Sequence, residues 1–167
     1  MSRLCGLAAL LLATSAVAQE SWPYESAVHD CYAAATAANG SDDCIGDAAN
    51  TCMEQEANGY STVGMMFCLS DEAGVWDFLL NQEYQLVKKF ALERDESDLS
   101  NFPEYAVRQE QVLNAQRAWI AFRDANCTMS YGRYGAGSLR QVAGAMCNMR
   151  MTAERVLELE QYRAPIQ

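Results

Sequence analysis

His29 is the only histidine in the chain, and it stands beside Asp30 and Cys31. Nucleophilic catalysis of the Ser-His-Asp or Cys-His kind needs an imidazole held by an acid next to a nucleophile. One histidine among cysteines expected to be oxidised does not supply that, so His29 reads as a surface residue. The 22 acidic residues offer many carboxylate pairs. A glycosidase needs two of them across an aromatic-lined cleft, and no spacing singles out such a pair. Gly132, Gly135 and Gly137 fit neither nucleotide-binding fingerprint, and no strand precedes them. Met65, Met66, Met146, Met149 and Met151 suggest a soft-metal site, but most recur at core spacing, where methionine fills irregular gaps. Cysteine pairs of the Cys-x-x-Cys type, the usual start of a zinc site, do not occur. The expectation is no catalytic residue, no cofactor and no metal.

The remaining chemistry lies in polar residues at helical spacing. Asp77, Asn81 and Tyr84 are four and three apart, Gln116, Trp119 and Arg123 three and four apart, and Thr152 and Arg155 three apart. Each set shares one helix face. One reading is a polar cluster that binds a ligand between helices. The other pairs Arg123 or Arg155 with Asp77, and gives Asn81 and Gln116 backbone partners that fix helix register. The second is favoured, because buried polar groups in a bundle need partners.

These residues need helices to position them. Leu113 to Cys127 has no Gly or Pro. Val112, Ala115, Trp119 and Phe122 form a row for burial, and Leu113, Gln116, Ile120 and Arg123 form a second row at its edge. Pro103 suits the first turn of this helix, which is expected to end near Asn126. Upstream, Ser70 is the expected N-cap of a helix to about Arg94, with Asp71 and Glu72 suiting its N-terminus. Its broad apolar face carries Val75, Trp76, Leu79, Leu80, Tyr84, Val87 and Phe90. Thr128 to Gly137 reads as a turn, and Ser138 to Gln141 as a capping box. The last helix turns Leu139, Val142, Met146, Met149, Ala153, Val156, Leu157 and Tyr162 inward, and Pro165 marks its end. Residues 25–38 and a segment from Asp42 or Asp43 to about Glu54 predict a helical hairpin about Asn39-Gly40-Ser41, followed by a loop over Asn58 to Gly64. Strand alternation is absent. The expected fold is all-α, a small disulfide-braced helical bundle with an N-terminal helical hairpin.

Met1 to Ala18 has the three parts of a secretory signal peptide, with Arg3, an apolar run too short to span a bilayer, and the small residues Ala16 and Ala18 before a cut. Cleavage after Ala18 removes Arg3 and takes the formal charge from −10 to −11. So acidic a chain avoids nucleic acid and anionic lipid, and no membrane anchor is expected once the signal is removed. About 150 residues remain, enough for one globular unit burying roughly 70% of the unfolded surface. Within it, residues 19–69 hold the hairpin and loop, and 70–167 the helical core. Six cysteines are left once Cys5 is removed with the signal, and an even count in an exported chain argues for three disulfides. Cys127–Cys147 is favoured as the closure of the loop between two helices. The other four can pair in several ways, nested pairings of Cys31 with Cys52 or Cys68 included.

Several of these stretches carry a resemblance. Gln116-Arg-Ala-Trp119-Ile-Ala-Phe122-Arg123-Asp-Ala-Asn-Cys127, then Gly137-Ser138, Cys147 and Thr152-Ala-Glu-Arg155 resemble the secreted bacterial family named for the lysozyme inhibitor LprI. Trp76-Asp77-Phe-Leu-Leu80-Asn81-Gln-Glu-Tyr84 is similar to that family's Asp-x-x-Leu-Asn-x-x-Tyr signature. The likeness runs from about Cys52 to Tyr162. It favours Cys52–Cys68, which leaves Cys31–Cys44. It implies a periplasmic or secreted binding protein, not an enzyme, whose partner is lysozyme or another basic muramidase. An acidic, braced protein can be steered to a basic cleft. The candidate contact is a projecting segment with Tyr131, Arg133 and Tyr134, pinned by Cys127–Cys147. The alternative is a non-inhibitory structural or accessory module that binds another envelope protein.

Overall fold

The computed structural model describes residues 21–37 and 40–164. Residues 1–18, where a signal peptide is expected, Asn39 of the expected hairpin turn and Pro165 lie outside the described residues. Five α-helices and one 3-10 turn follow in order: α1 Glu25–Ala35, α2 Asp47–Gln55, α3 Thr62–Asp98, the turn Pro103–Tyr105, α4 Arg108–Gly132 and α5 Leu139–Arg163. The fold is all-α, with no strand among the described residues. Disulfides join Cys31 to Cys44, Cys52 to Cys68 and Cys127 to Cys147.

The long helix α3 is the spine. It begins eight residues before the expected N-cap Ser70. Ser61 is the cap, its hydroxyl accepting the Gly64 N–H at 3.0 Å. Gly64 reads as loop in the sequence because glycine disfavours helix interiors. Here it sits in the first turn, where a Cβ would overlap the backbone of Asn58 and Gly59. Close approach, not a bend, selects glycine at that position. The preceding turn passes through Asn58 at φ 64°, a left-handed conformation that asparagine tolerates.

Two other helices take their N-terminal caps from α3. Helix α2 starts at Asp47 instead of Asp42 or Asp43, because Gly46 at φ 102° turns the chain there. The Glu72 carboxylate accepts the N–H groups of Gly46 at 2.8 Å and Ala49 at 2.7 Å, and also the indole N–H of Trp76 at 3.0 Å. Glu72 therefore serves the dipole of α2 and not that of its own helix. Helix α4 starts at Arg108, with Pro103 in the separate 3-10 turn before it. Asp95 accepts the N–H groups of Arg108 at 3.0 Å and Gln109 at 2.9 Å. The Arg108 side chain then bridges Asp95 at 3.2 Å and Asp98 at 2.8 Å.

Helix α5 runs alongside α3 in the same direction and packs directly on it, and α4 runs back against the pair, chiefly on α5. The core they share is centred on Trp76, with Val28, Ala49, Val87, Ala91, Ala153 and Val156 fully enclosed around it. Helix α4 buries a narrower stripe than its apolar rows predict. Val112, Gln116 and Cys127 are buried and Trp119 is half-buried, whereas Phe122 is 61% exposed. On α5, Leu139, Met146 and Tyr162 face outward and Leu159 turns in. A helix covered mainly on one side has no second surface against which to bury a wide face.

Candidate groove between α3, α4 and α5

Because α4 leans on α5, its C-terminal half stands away from α3 and leaves an open groove of about 550 Å³. One wall is Met66, Ser70, Ala73, Gly74 and Asp77 of α3, the other Arg123 and Tyr131 of α4. Gln141, Gly144, Ala145 and Asn148 of α5 make the floor. Small residues at Ala73-Gly74 and Gly144-Ala145 keep it open, and Tyr131 lies against Gly144, where a Cβ would come 3.3 Å from the ring.

The sequence expectation of an ion pair between Asp77 and either Arg123 or Arg155 is not met. Arg123 binds Asp124 instead, through Nε at 3.1 Å and Nη2 at 3.0 Å. Arg155 donates to Gln116 Oε1 at 3.1 Å and to Glu158 at 2.9 Å. Asp77 accepts only from the Asn81 amide, at 3.2 Å among the described residues, and the same amide donates to the Asp77 carbonyl at 2.9 Å. Arg123 takes the adjacent Asp124 and Asp77 the Asn81 amide one turn on, so local bonding replaces the expected ion pair, while Arg155 crosses to Gln116 of α4. Gln116 likewise has a guanidinium as partner, not the expected backbone. Both arginines stack on the Trp119 ring, Arg123 at 5.0 Å and Arg155 at 5.7 Å from its centroid, so the indole is clasped between two cations. Thr152 is buried, with its hydroxyl 3.4 Å from Asn148 Oδ1. Tyr84 is half-buried on α3, with Lys88 over its ring at 5.6 Å.

Tyr131, Arg133 and Tyr134 do not form one projecting surface. Helix α4 continues past Cys127 to Gly132, the first of the three glycines, and Gly135 and Gly137 fall in the connection. Thr128 bonds back to the Asp124 carbonyl at 2.8 Å, which suits a helical turn. Tyr131 is thus a helix residue beneath Arg140, whose guanidinium lies 5.4 Å from its ring. Arg133 and Tyr134 open onto a second groove of about 410 Å³ on the other side of the α4–α5 hairpin, beside Leu139, Met146 and the Cys127–Cys147 disulfide. Only Arg133 to Ser138 forms the connection, and Ser138 caps α5 without its side chain, so the expected capping box is not made. Gly137 and Ser138 carbonyls accept from Arg140 and Gln141 at 3.2 Å instead.

A separate buried cluster ties the N-terminal hairpin to the bundle. Glu83 receives Arg163 through Nε at 2.8 Å and Nη2 at 3.0 Å, and the Tyr32 hydroxyl at 2.6 Å. Burial raises the Glu83 pKa, but the hydrogen bonds from Arg163 and Tyr32 and the charge of Arg163 outweigh it and hold the carboxyl below its usual range. Burial and the bond to Glu83 push Tyr32 up to about 12. These groups fix structure and open onto neither groove.

Of the groove residues, helical spacing finds Asp77 and Arg123, with Tyr131 expected only as part of a projecting segment. It misses Ser70, Gln141 and Asn148. Their only signal is the pair of small-residue steps on two helices that otherwise carry larger side chains.

A protein of unassigned function from Rhizobium meliloti (strain 1021) is 28% identical over 102 residues, covering 60% of this chain and 73% of its own length. No solved structure matches the chain. A sequence model described as lysozyme inhibitor LprI matches residues 52–159, which takes in α3, α4, nearly all of α5 and both walls and the floor of the groove. By that match over more than half of its length, the chain belongs to the lysozyme inhibitor LprI family.

Proposed function

We propose that the protein is an exported, periplasmic or secreted binding protein that inhibits lysozyme or another basic muramidase by occluding its cleft. Family membership carries this reading, and the net charge of −10 supports it, since an acidic protein is drawn to a basic enzyme. The contact we favour is the α4–α5 tip. Tyr134 is exposed there, the connection is short, and it is braced by Cys127–Cys147 and by the Arg140 guanidinium donating to the Gly135 carbonyl at 3.3 Å. A rigid tip loses little conformational freedom on binding.

The test is lysozyme turnover with and without the mature protein, repeated at raised salt. Inhibition that weakens with salt is expected, and Tyr134→Ala should reduce it. No inhibition at micromolar protein removes the reading. The second reading, a non-inhibitory module of the cell envelope, draws on exposed apolar residues away from the tip, Phe67 and Phe78 on α3 and Phe122 on α4. Under it, turnover is unchanged and another envelope protein is the partner.

A further inference from the structure

The groove between α3 and α4 is lined by an aspartate and an arginine that do not pair with each other, Arg123 keeping only Asp124 of its own helix as counter-charge. Among the described residues, Asp77 Oδ1 and Arg123 Nη1 have no protein hydrogen bond, and no ion pair joins the two side chains. Arg123 is not a loose surface cation. Its side chain is 17% exposed, and stacking on Trp119 fixes its direction. Gln141, Tyr131 and Asn148 also line the groove, and among the described residues the Gln141 amide, the Tyr131 hydroxyl and Asn148 Nδ2 have no protein hydrogen bond. Its volume of about 550 Å³ lies within the roughly 300–1,000 Å³ of small-molecule sites.

Opposite charges held apart on two rigid helices are complementary to a ligand that carries both signs. A neutral sugar satisfies the amides but leaves Asp77 without a counter-charge and Arg123 with only its neighbour Asp124. An anion alone is repelled by Asp77, and a cation alone by Arg123. We propose that this groove binds a short zwitterionic peptide, with its ammonium on Asp77, its carboxylate on Arg123 and its amide groups on Gln141 and Asn148. Gly74, where a Cβ would meet nothing within 4 Å, lets a peptide main chain approach α3 closely. Planar guanidinium-to-carboxylate recognition gives direction to the bound chain. This activity goes beyond muramidase inhibition and does not rest on it.

The probe is trialanine with free ends, titrated into the mature protein by calorimetry or by chemical-shift mapping of groove amides. Saturable binding at millimolar concentration or below is expected. N-acetylated trialanine and trialanine amide should each bind about tenfold more weakly or worse, having lost one charged contact. Asp77→Asn should weaken the free peptide to the level of the acetylated one. Asp77 is exposed and bonded only within its own helix turn, so the unfolding midpoint of this variant serves as the check that its fold is intact. No saturation by the free peptide overturns the proposal, as does equal binding of the capped peptides or unchanged binding by Asp77→Asn. Displacement of the peptide by a neutral chitooligosaccharide that itself binds more tightly overturns it in favour of a glycan site. Lysozyme turnover is measured separately, so failure of either reading leaves the other standing.

Discussion

Arg163 and Glu83 lie eighty residues apart in sequence and meet in a two-point ion pair, Nε to Oε2 at 2.8 Å and Nη2 to Oε1 at 3.0 Å. The pair locks the last turn of α5 to the middle of α3. Through the Tyr32 hydroxyl, it also holds α1 against the bundle. A paired, buried carboxylate of this kind makes stability depend on pH.

Glu83 and Asp95 both titrate below their ordinary values. For Asp95, burial raises the pKa, but the backbone N–H groups of Gln109 and Arg108 and the Arg108 side chain lower it by more. A carboxyl with a depressed folded pKa contributes stability that is complete above its unfolded value and is lost as pH falls through the folded one. The unfolded values are near 4.5 for Glu83 and 3.8 for Asp95. The urea midpoint should therefore lose nothing from these two groups between neutral pH and about 5, then fall as both are protonated. Glu83→Gln should flatten the acid limb. An acid limb of unchanged steepness in that variant would show that the pair does not drive the loss.

Glu72 accepts three buried N–H groups, two of them at the start of α2. Glu72→Ala leaves all three unpaired and should lower the unfolding free energy by about 3 kcal/mol or more. Amide exchange at Gly46 and Ala49 should quicken beyond the global effect. Exchange that rises uniformly along the chain would argue against a local cap.

The Cys127–Cys147 bridge spans 20 residues. Replacing both cysteines by serine should cost about 3 kcal/mol through the freed unfolded chain, read as a lower urea midpoint. If the α4–α5 tip is the inhibitory contact, the double variant should also lose inhibition at temperatures where it remains folded.

Gly74 is a mid-helix glycine on the groove wall, and a Cβ there would meet nothing within 4 Å. Gly74→Ala should stabilise the fold by about 0.5–1 kcal/mol, measured by chemical denaturation. A stabilised variant with weakened trialanine binding would separate the two demands on this residue, helix propensity and room for a ligand. A destabilised one would mean that the glycine meets a packing need.

Local pattern made much of the architecture legible. The apolar spacing of Val75, Trp76, Leu79, Leu80 and Val87 marks the buried face of α3, and Val142, Met149, Ala153 and Val156 mark that of α5. Element boundaries were less legible. Ser70 followed by Asp71 and Glu72 has the composition of a helix start, yet the helix runs through it from Thr62. Glu72 is turned inward to cap a neighbour. Thr128 to Gly137 has the composition of a turn, yet α4 persists to Gly132 because its flank is packed on α5, and only Gly135 and Gly137 fall in the connection.

By itself, the sequence determined an all-helical chain, which faces of α3 and α5 are apolar, and which polar residues share a helix face. Those properties follow from a period of 3.6 residues and need only near neighbours. Tertiary structure alone decided that Asp77 and Arg123 line one groove without pairing with each other, that Glu72 and Asp95 cap helices other than their own, and that Tyr131 and Tyr134 line different grooves. Each depends on how far α4 stands from α3, a distance set by the packing of all three helices together and carried by no local pattern.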